Sequence, residues 1–340
     1  MIDARRWNLH GPVRGVRCEI AEWDAERLAW KDRRVVRSVV FDAGGRIVQL
    51  DQRGPHESTY RTQHAYDERG RPASETSGTA GERATFRRRW TYDERGRETS
   101  IVVAHGEGTE EIWQASTYDD RGLRTDRVMF PAAQHNTAYG VKGSEFGYAA
   151  PGAVNQLTRY DESGEAVDVE FFDPEGTVVR RVRMTRDPHG RVLVEEAQTP
   201  SPIQLDREPG MSDAQFDAMR DILTNAVGSM QTTYEYDADG RPLTRVRTTG
   251  QLGETRTAYR YDERGNPIEE SEVRVERGMS VDEDGVPHME ADTRRVHDVR
   301  FAYVYDGGAN WTEKVVSARY AADDEFRPTN AEWRTIDYFE

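Results

Sequence analysis

Short β-prone stretches, each of polar and apolar residues in near alternation, recur along this chain and are separated by one repeated polar link. The stretch Thr85-Phe86-Arg87-Arg88-Arg89-Trp90-Thr91-Tyr92 leads into Asp93-Glu94-Arg95-Gly96. Arg97-Glu98-Thr99-Ser100-Ile101-Val102-Val103 follows. An Asp at the first turn position accepts a hydrogen bond from the backbone two residues on, and Gly supplies the positive φ that a bulged hairpin needs. The pattern predicts a β-hairpin. It starts eight times on Tyr-Asp or Phe-Asp: Phe41, Tyr66, Tyr92, Tyr118, Tyr160, Phe172, Tyr236 and Tyr261. A ninth copy shifts to Tyr305-Asp306-Gly307-Gly308-Ala309-Asn310, and a tenth, at Asp187 to Arg191, lacks the aromatic. Gly70, Gly96, Gly122, Gly240 and Gly265 are expected at positive φ. Turn and ladder formation accounts for the Tyr, Asp, Gly and Arg of the motif, each Tyr stacking on its neighbours or under the Arg that often follows Gly.

Spacing sets the architecture. Asp42, Asp67, Asp93 and Asp119 recur every 25 or 26 residues, which fits two strands and two turns. Asp161, Asp173 and Asp187 are 12 and 14 apart, so Asp173 should mark the opposite turn of one repeat. The chain therefore reads as all-β, a long antiparallel meander of about twenty strands forming a curved or spiralling sheet, with one helical insertion and most motif turns along one edge. We read it as a single domain spanning 1–340 with insertions at 131–152, 199–229 and 277–292. Counting half-periods places all three on the other edge.

The insertions supply the candidate contact residues, because lengthening links that a meander keeps short suggests a use for that edge. The first, Pro131–Gly152, offers Tyr139, Phe146 and Tyr148. The second, Thr199–Ser229, holds a predicted helix over Ser212–Val227. Ser212 and Gln215 have capping-box spacing, and Phe216, Met219, Ile222, Leu223, Ala226 and Val227 form one apolar stripe. Phe216 and Met219 are its candidate contacts, although such a stripe equally suits a cover over the sheet. The third, Arg277–Asp292, contains Asp282, Glu283 and Asp284. That run lacks the full calcium-loop pattern and reads as a solvated acidic loop.

Composition narrows the function classes. The 340 residues are 36% hydrophobic and 32% charged, lean for a thick core but suited to a sheet with one wet face. A net charge of -15 argues against nucleic acid as a partner, and suits a basic protein partner. Absence of an apolar leader or an 18-residue apolar run leads to the expectation of a cytoplasmic protein with no membrane contact. Cys18 stands alone, so it forms no internal disulfide and reads as a small buried side chain. The eight histidines show no metal spacing; His56 and His64 read as surface positions. No phosphate loop, dinucleotide fingerprint or nucleophile elbow occurs. The expectation is of no catalytic residues, no metal and no cofactor.

The units Tyr66-Asp67-Glu68-Arg69-Gly70-Arg71, Tyr92-Asp93-Glu94-Arg95-Gly96-Arg97 and Tyr236-Asp237-Ala238-Asp239-Gly240-Arg241 resemble the YD repeats of the RHS and teneurin families. The resemblance covers roughly Val13 to Phe339, with three interruptions. It implies hairpins joined side by side into a long spiralling sheet, which in large members closes around a cargo. The ending, with Ile336-Asp337-Tyr338-Phe339, resembles small stand-alone bacterial members. About ten motif turns are too few for a sizeable cocoon. Asp173-Pro174 and Asp187-Pro188 read as ordinary turns rather than a self-cleavage motif. The expected function is a non-enzymatic scaffold that binds a protein or glycan. The alternatives are an immunity-type protein neutralising a basic toxin, and an enzyme with its site on the insertion edge.

Overall fold

The structure is a computed structural model that describes residues 7, 9–54, 58–129, 153–199, 211–250, 252–281, 287–321 and 324–339. The strands, in chain order, are β1 (Val13–Asp24), β2 (Ala29–Trp30), β3 (Arg34–Phe41), β4 (Ile47–Arg53), β5 (Thr59–Tyr66), β6 (Pro72–Thr79) and β7 (Phe86–Tyr92). Then come β8 (Glu98–His105), β9 (Glu111–Tyr118), β10 (Arg124–Met129), β11 (Asn155–Tyr160), β12 (Ala166–Phe172), β13 (Val178–Arg186) and β14 (Val192–Gln198). Helix α1 (Asp213–Val227) precedes β15 (Ser229–Tyr236), β16 (Pro242–Thr249), β17 (Gly253–Tyr261), β18 (Pro267–Val281), β19 (Pro287–Tyr305), β20 (Trp311–Arg319) and β21 (Arg327–Tyr338). Among the described residues, the strands pair into antiparallel ladders within two units. Backbone contacts group the chain into two units, one of residues 1–113, 299–319 and 324–340, the other of 114–298 and 320–323.

In the first unit, β3 through β8 pair antiparallel in sequence order. The register between partners shifts at each motif turn, as at Ala65/Tyr66 and Thr91/Tyr92, where the extra residue of the turn makes a bulge. Within this unit the ladder is not left open between its first and last strands, which corrects the expectation of a merely curved or spiralling sheet. β1 lies between β3 and β21 and pairs antiparallel with both, so the last strand returns to the first. Unpaired strand edges expose backbone donors and acceptors; pairing β21 with β1 satisfies them. The apolar cluster beside this seam comprises Leu9, Val13, Val16, Cys18, Val39, Phe41 and Ile47. A smaller one, of Ala21, Ala331 and Trp333, packs against Trp30 and Val315.

In the second unit, β9 through β18 pair antiparallel in sequence order. Alternation gives each face its character. Val169 and Phe171 on β12, and Val182 and Met184 on β13, form one buried cluster with Ala153, Ala166 and Ala197. The alternate residues carry charge: Glu170 accepts from Arg181 Nε at 2.9 Å and pairs with Arg159 Nη2 at 2.9 Å. Phe171, Val169 and Val182 are fully buried, each worth about 2 kcal/mol.

The motif turn is the same device throughout. In the Asp67 turn, Asp67 N–H donates to the Arg71 carbonyl at 2.9 Å and Gly70 N–H to the Asp67 carbonyl at 2.8 Å. Asp67 Oδ1 accepts from the Arg69 and Arg71 amides, and Oδ2 from Arg71 Nε at 2.7 Å. The five glycines expected at positive φ have φ of 75, 82, 85, 82 and 82° in chain order. Successive repeats interlock as the sequence suggested. Arg71 lies 3.9 Å from the centroid of the Tyr92 ring, and Tyr92 donates its hydroxyl to the Pro72 carbonyl at 2.7 Å. The pairs Arg46–Tyr66, Arg191–Tyr236 and Arg241–Tyr261 repeat this arrangement, each Tyr again bonding a backbone carbonyl.

These turns predict acid sensitivity. The Asp67 carboxyl is held below the usual range by the Arg71 guanidinium and amide, and Asp93 by the Arg97 amide and guanidinium. For Asp42, Asp187 and Asp237 desolvation pushes upward but is outweighed by hydrogen bonds from Arg46, Arg191 and Arg241. A depressed folded-state pKa gives stability that is complete above the unfolded value, about 3.9 for Asp, and is lost as pH falls through the folded values. Thermal melts from about pH 6 to pH 2 should therefore show Tm falling below about pH 4. A Tm that stays level down to the lowest pH contradicts this account.

Candidate functional site

The links between strands place the insertions. Motif turns at Asp42, Asp67, Asp93, Asp119, Asp161, Asp187, Asp237, Asp262 and Asp306 each join an odd-numbered strand to the next even one, whereas Asp173 joins β12 to β13. In the second unit the long links are β10–β11 and β14–β15, and these and the short β18–β19 link all run from even to odd strands. In an antiparallel meander they leave the edge opposite the motif turns, as counting half-periods anticipated.

Of the sequence candidates on that edge, Tyr139, Phe146 and Tyr148 lie outside the described residues, as do Asp282, Glu283 and Asp284. The helix forms as expected, with Ser212 as its cap. The Ser212 amide donates to Gln215 Oε1 at 2.8 Å, and the Gln215 amide to Ser212 Oγ at 3.2 Å. Phe216 and Met219 are half-buried, and Arg220 lies over the Phe216 ring at 5.9 Å. The third insertion is corrected. Most of 277–292 is not loop, because β18 runs to Val281 and β19 starts at Pro287. The alternating run Glu272-Val273-Arg274-Val275-Glu276 leads up to the expected boundary, and β18 continues through it to Val281. An Arg277 Nε–Asp292 Oδ1 ion pair of 2.7 Å joins the two strands.

Beside this hairpin lies a hollow of about 540 Å³ lined by Glu272, Arg274, Arg294, Arg295, His297 and Tyr320, among others. Its floor carries an aromatic stack: the His297 and Tyr320 rings are 4.8 Å apart and 10° from parallel. Tyr320 is 70% exposed, unusual for a residue whose ring gains by burial. Arg274 is held by Glu272 at 3.4 Å and Glu276 at 3.2 Å. Arg295 reaches Glu276 only at 3.8 Å and is 72% exposed. Among the described residues, Arg294 has no ion-pair partner. The sequence reading missed this group. The basic pair Arg294-Arg295 in an acidic chain was its one visible sign, and Tyr320, beyond β20, reaches His297 only through the fold.

The remaining chemical candidates read as structural. Cys18 is buried, and burial, with Glu332 nearby, pushes its thiol up to about 11, against the opposing pull of Arg334 and Arg37. It is a protonated, inert side chain at neutral pH. His64 is corrected from a surface position. It is only 17% exposed, 3.6 Å from Glu75, and burial and then Arg88 act to hold its pKa low against the pull of Glu75. His56 lies outside the described residues. Among the described residues no group of three or more His, Cys, Asp and Glu is placed to hold a metal ion, and no helix is long and apolar enough to cross a membrane.

Residues 236–274 match the RHS Repeat family. That segment holds the Tyr236 and Tyr261 turns, whose Asp, Gly, Arg and Tyr interlock like those of the other repeats. Within residues 236–274 the chain carries RHS repeats. No curated protein matches its sequence significantly. Among solved structures, it is similar to a chain of the Photorhabdus luminescens Tc holotoxin pore, at 12% identity and a TM-score of 0.22, covering 91% of this chain and 18% of that one. A TcdB2–TccC3 crystal structure matches at 13% identity and a TM-score of 0.23, covering 92% and 18%. A porin-like protein from Bacteroides uniformis matches at 8% identity and a TM-score of 0.27, covering 96% and 98%. The chain thus spans less than a fifth of the Tc chains it matches.

Proposed function

We propose that this protein is a non-enzymatic scaffold that binds a protein partner through the insertion edge of its second unit. The supporting observation is the exposed Tyr320 ring, stacked on His297 beside a hollow and flanked by incompletely paired arginines. A large, rigid, half-apolar ring held flat at the surface is the kind of side chain that dominates protein interfaces. Nothing about the ladder itself needs Tyr320 exposed, and two links on this edge, β10–β11 and β14–β15, are longer than hairpins require.

Affinity capture from the source organism, with the full chain and with Tyr320→Asp as baits, tests the reading. Tyr320→Asp should lose the protein retained by the parent while its Tm stays within about 2 °C, since the site is at the surface. Equal retention by both baits defeats the proposal.

A further inference from the structure

We propose that the far end of the β18–β19 hairpin is a self-pairing edge, on which a second copy of this chain adds its own β19 antiparallel. This goes beyond the scaffold reading, which does not require it. β17 pairs with β18 no further than Gly253 opposite Glu276, whereas β18 runs on to Val281. On the other side β20 ends at Arg319, and the next residue, Tyr320, already lies on His297. β19 starts at Pro287. Among the described residues, its stretch before His297 therefore has no strand on its outer side. Asp292, Thr293, Arg294 and Arg295 are all exposed. Successive strand residues point to opposite faces, so neither face of the ribbon is covered here. A two-stranded ribbon is marginal by itself, and its free edge carries backbone donors and acceptors that a further strand satisfies.

The order of charges selects the occupant. A two-fold axis that relates two antiparallel edge strands stands perpendicular to the sheet, so the residues that meet share a face. With the axis at Thr293, Asp292 meets the second copy's Arg294, and Arg294 meets the second copy's Asp292. The two Thr293 side chains lie next to each other at the centre. Asp292 and Arg294 are two positions apart and so on one face, while Arg295 points to the other, where Glu276 lies 3.8 Å from it. Arg277 Nε reaches Asp292 from β18 at 2.7 Å. Each Asp292 then sits between two guanidiniums, one on its own hairpin and one across the axis. Charges on a free edge deter pairing when like meets like. Here acid precedes base, so an antiparallel copy brings opposite charges together at both places. A foreign strand needs the same order to do this, and a second copy has it by construction. One strand pair falls below the roughly 1,200 Å² of a stable interface, so the association should be weak.

Sedimentation velocity of the full chain from about 5 to 500 μM should show a monomer–dimer equilibrium. The dimer should weaken as salt rises from about 0.05 to 0.5 M. Asp292→Arg alone and Arg294→Asp alone each set like charges opposite one another, and each should weaken dimerisation about tenfold or more. An equimolar mixture of the two variants restores opposite charges at both contacts, so heterodimers should form as readily as the parent dimer. A parent that stays monomeric throughout, a dimer indifferent to salt or to either variant, or a mixture without heterodimers overturns the proposal.

Discussion

Gly253→Ala is expected to lose about 3 kcal/mol or more of stability, the largest such effect among the described glycines. Gly253 begins β17 opposite Glu276 of β18. Its φ is +137°, and a Cβ there would lie 1.9 Å from the Val275 carbonyl oxygen and 3.0 Å from the Val275 carbonyl carbon. Both atoms belong to the backbone of a paired strand, so no side-chain rotation relieves the clash. Either β18 shifts, breaking ladder bonds on the edge beside the candidate site, or β17 leaves its register. Gly122 is the matched control. Its φ is +85° with nothing within 4 Å of an added Cβ, so Gly122→Ala should cost only the left-handed backbone penalty of about 1–2 kcal/mol. Urea unfolding of the three proteins compares them directly. If Gly253→Ala costs no more than Gly122→Ala, the close approach of β17 and β18 is wrong.

Asn310→Ala should cost about 2–4 kcal/mol, because one side chain ties the last motif turn to both ends of the chain. Asn310 is fully buried. Its Oδ1 accepts the His10 amide at 2.6 Å, and its Nδ2 donates to the His10 carbonyl and the Tyr338 hydroxyl, each at 2.8 Å. Tyr338 in turn donates to Asp306 Oδ2 at 2.6 Å. Alanine removes these three part-buried bonds and empties the space of a fully buried side chain. The turn is already strained, since Ala309 takes the glycine position at φ 66°. Alongside the loss of stability, hydrogen exchange at the His10 amide should accelerate. An unchanged His10 exchange rate in Asn310→Ala would show that this clasp does not hold the N-terminal segment.

The repeat was legible in the sequence because each turn is made by residues within five positions of one another. Asp67, Gly70 and Arg71 complete their hydrogen bonds locally, so composition at fixed spacing was enough to predict strand, turn and positive φ. The placement of the insertions followed as well, since an antiparallel meander returns to the same edge every two strands. The helix announced itself through Ser212 and Gln215. The limit of the third insertion did not: its acidic centre drew the reading towards a loop, while the alternating residues on either side were already strand.

What the sequence by itself determined, then, is the RHS/YD-repeat hairpin, its period, its direction and the edge from which each link leaves. All of these depend on contacts over a few residues or on simple counting. Only the tertiary structure decided that β21 returns to β1, that Asn310 reaches His10, and that Tyr320 lies flat on His297 beside Arg294 and Arg295. Each of these joins residues whose separation along the chain carries no periodic signal. Their meeting depends on strand twist and register accumulated over the ladder, which no local run of residues encodes.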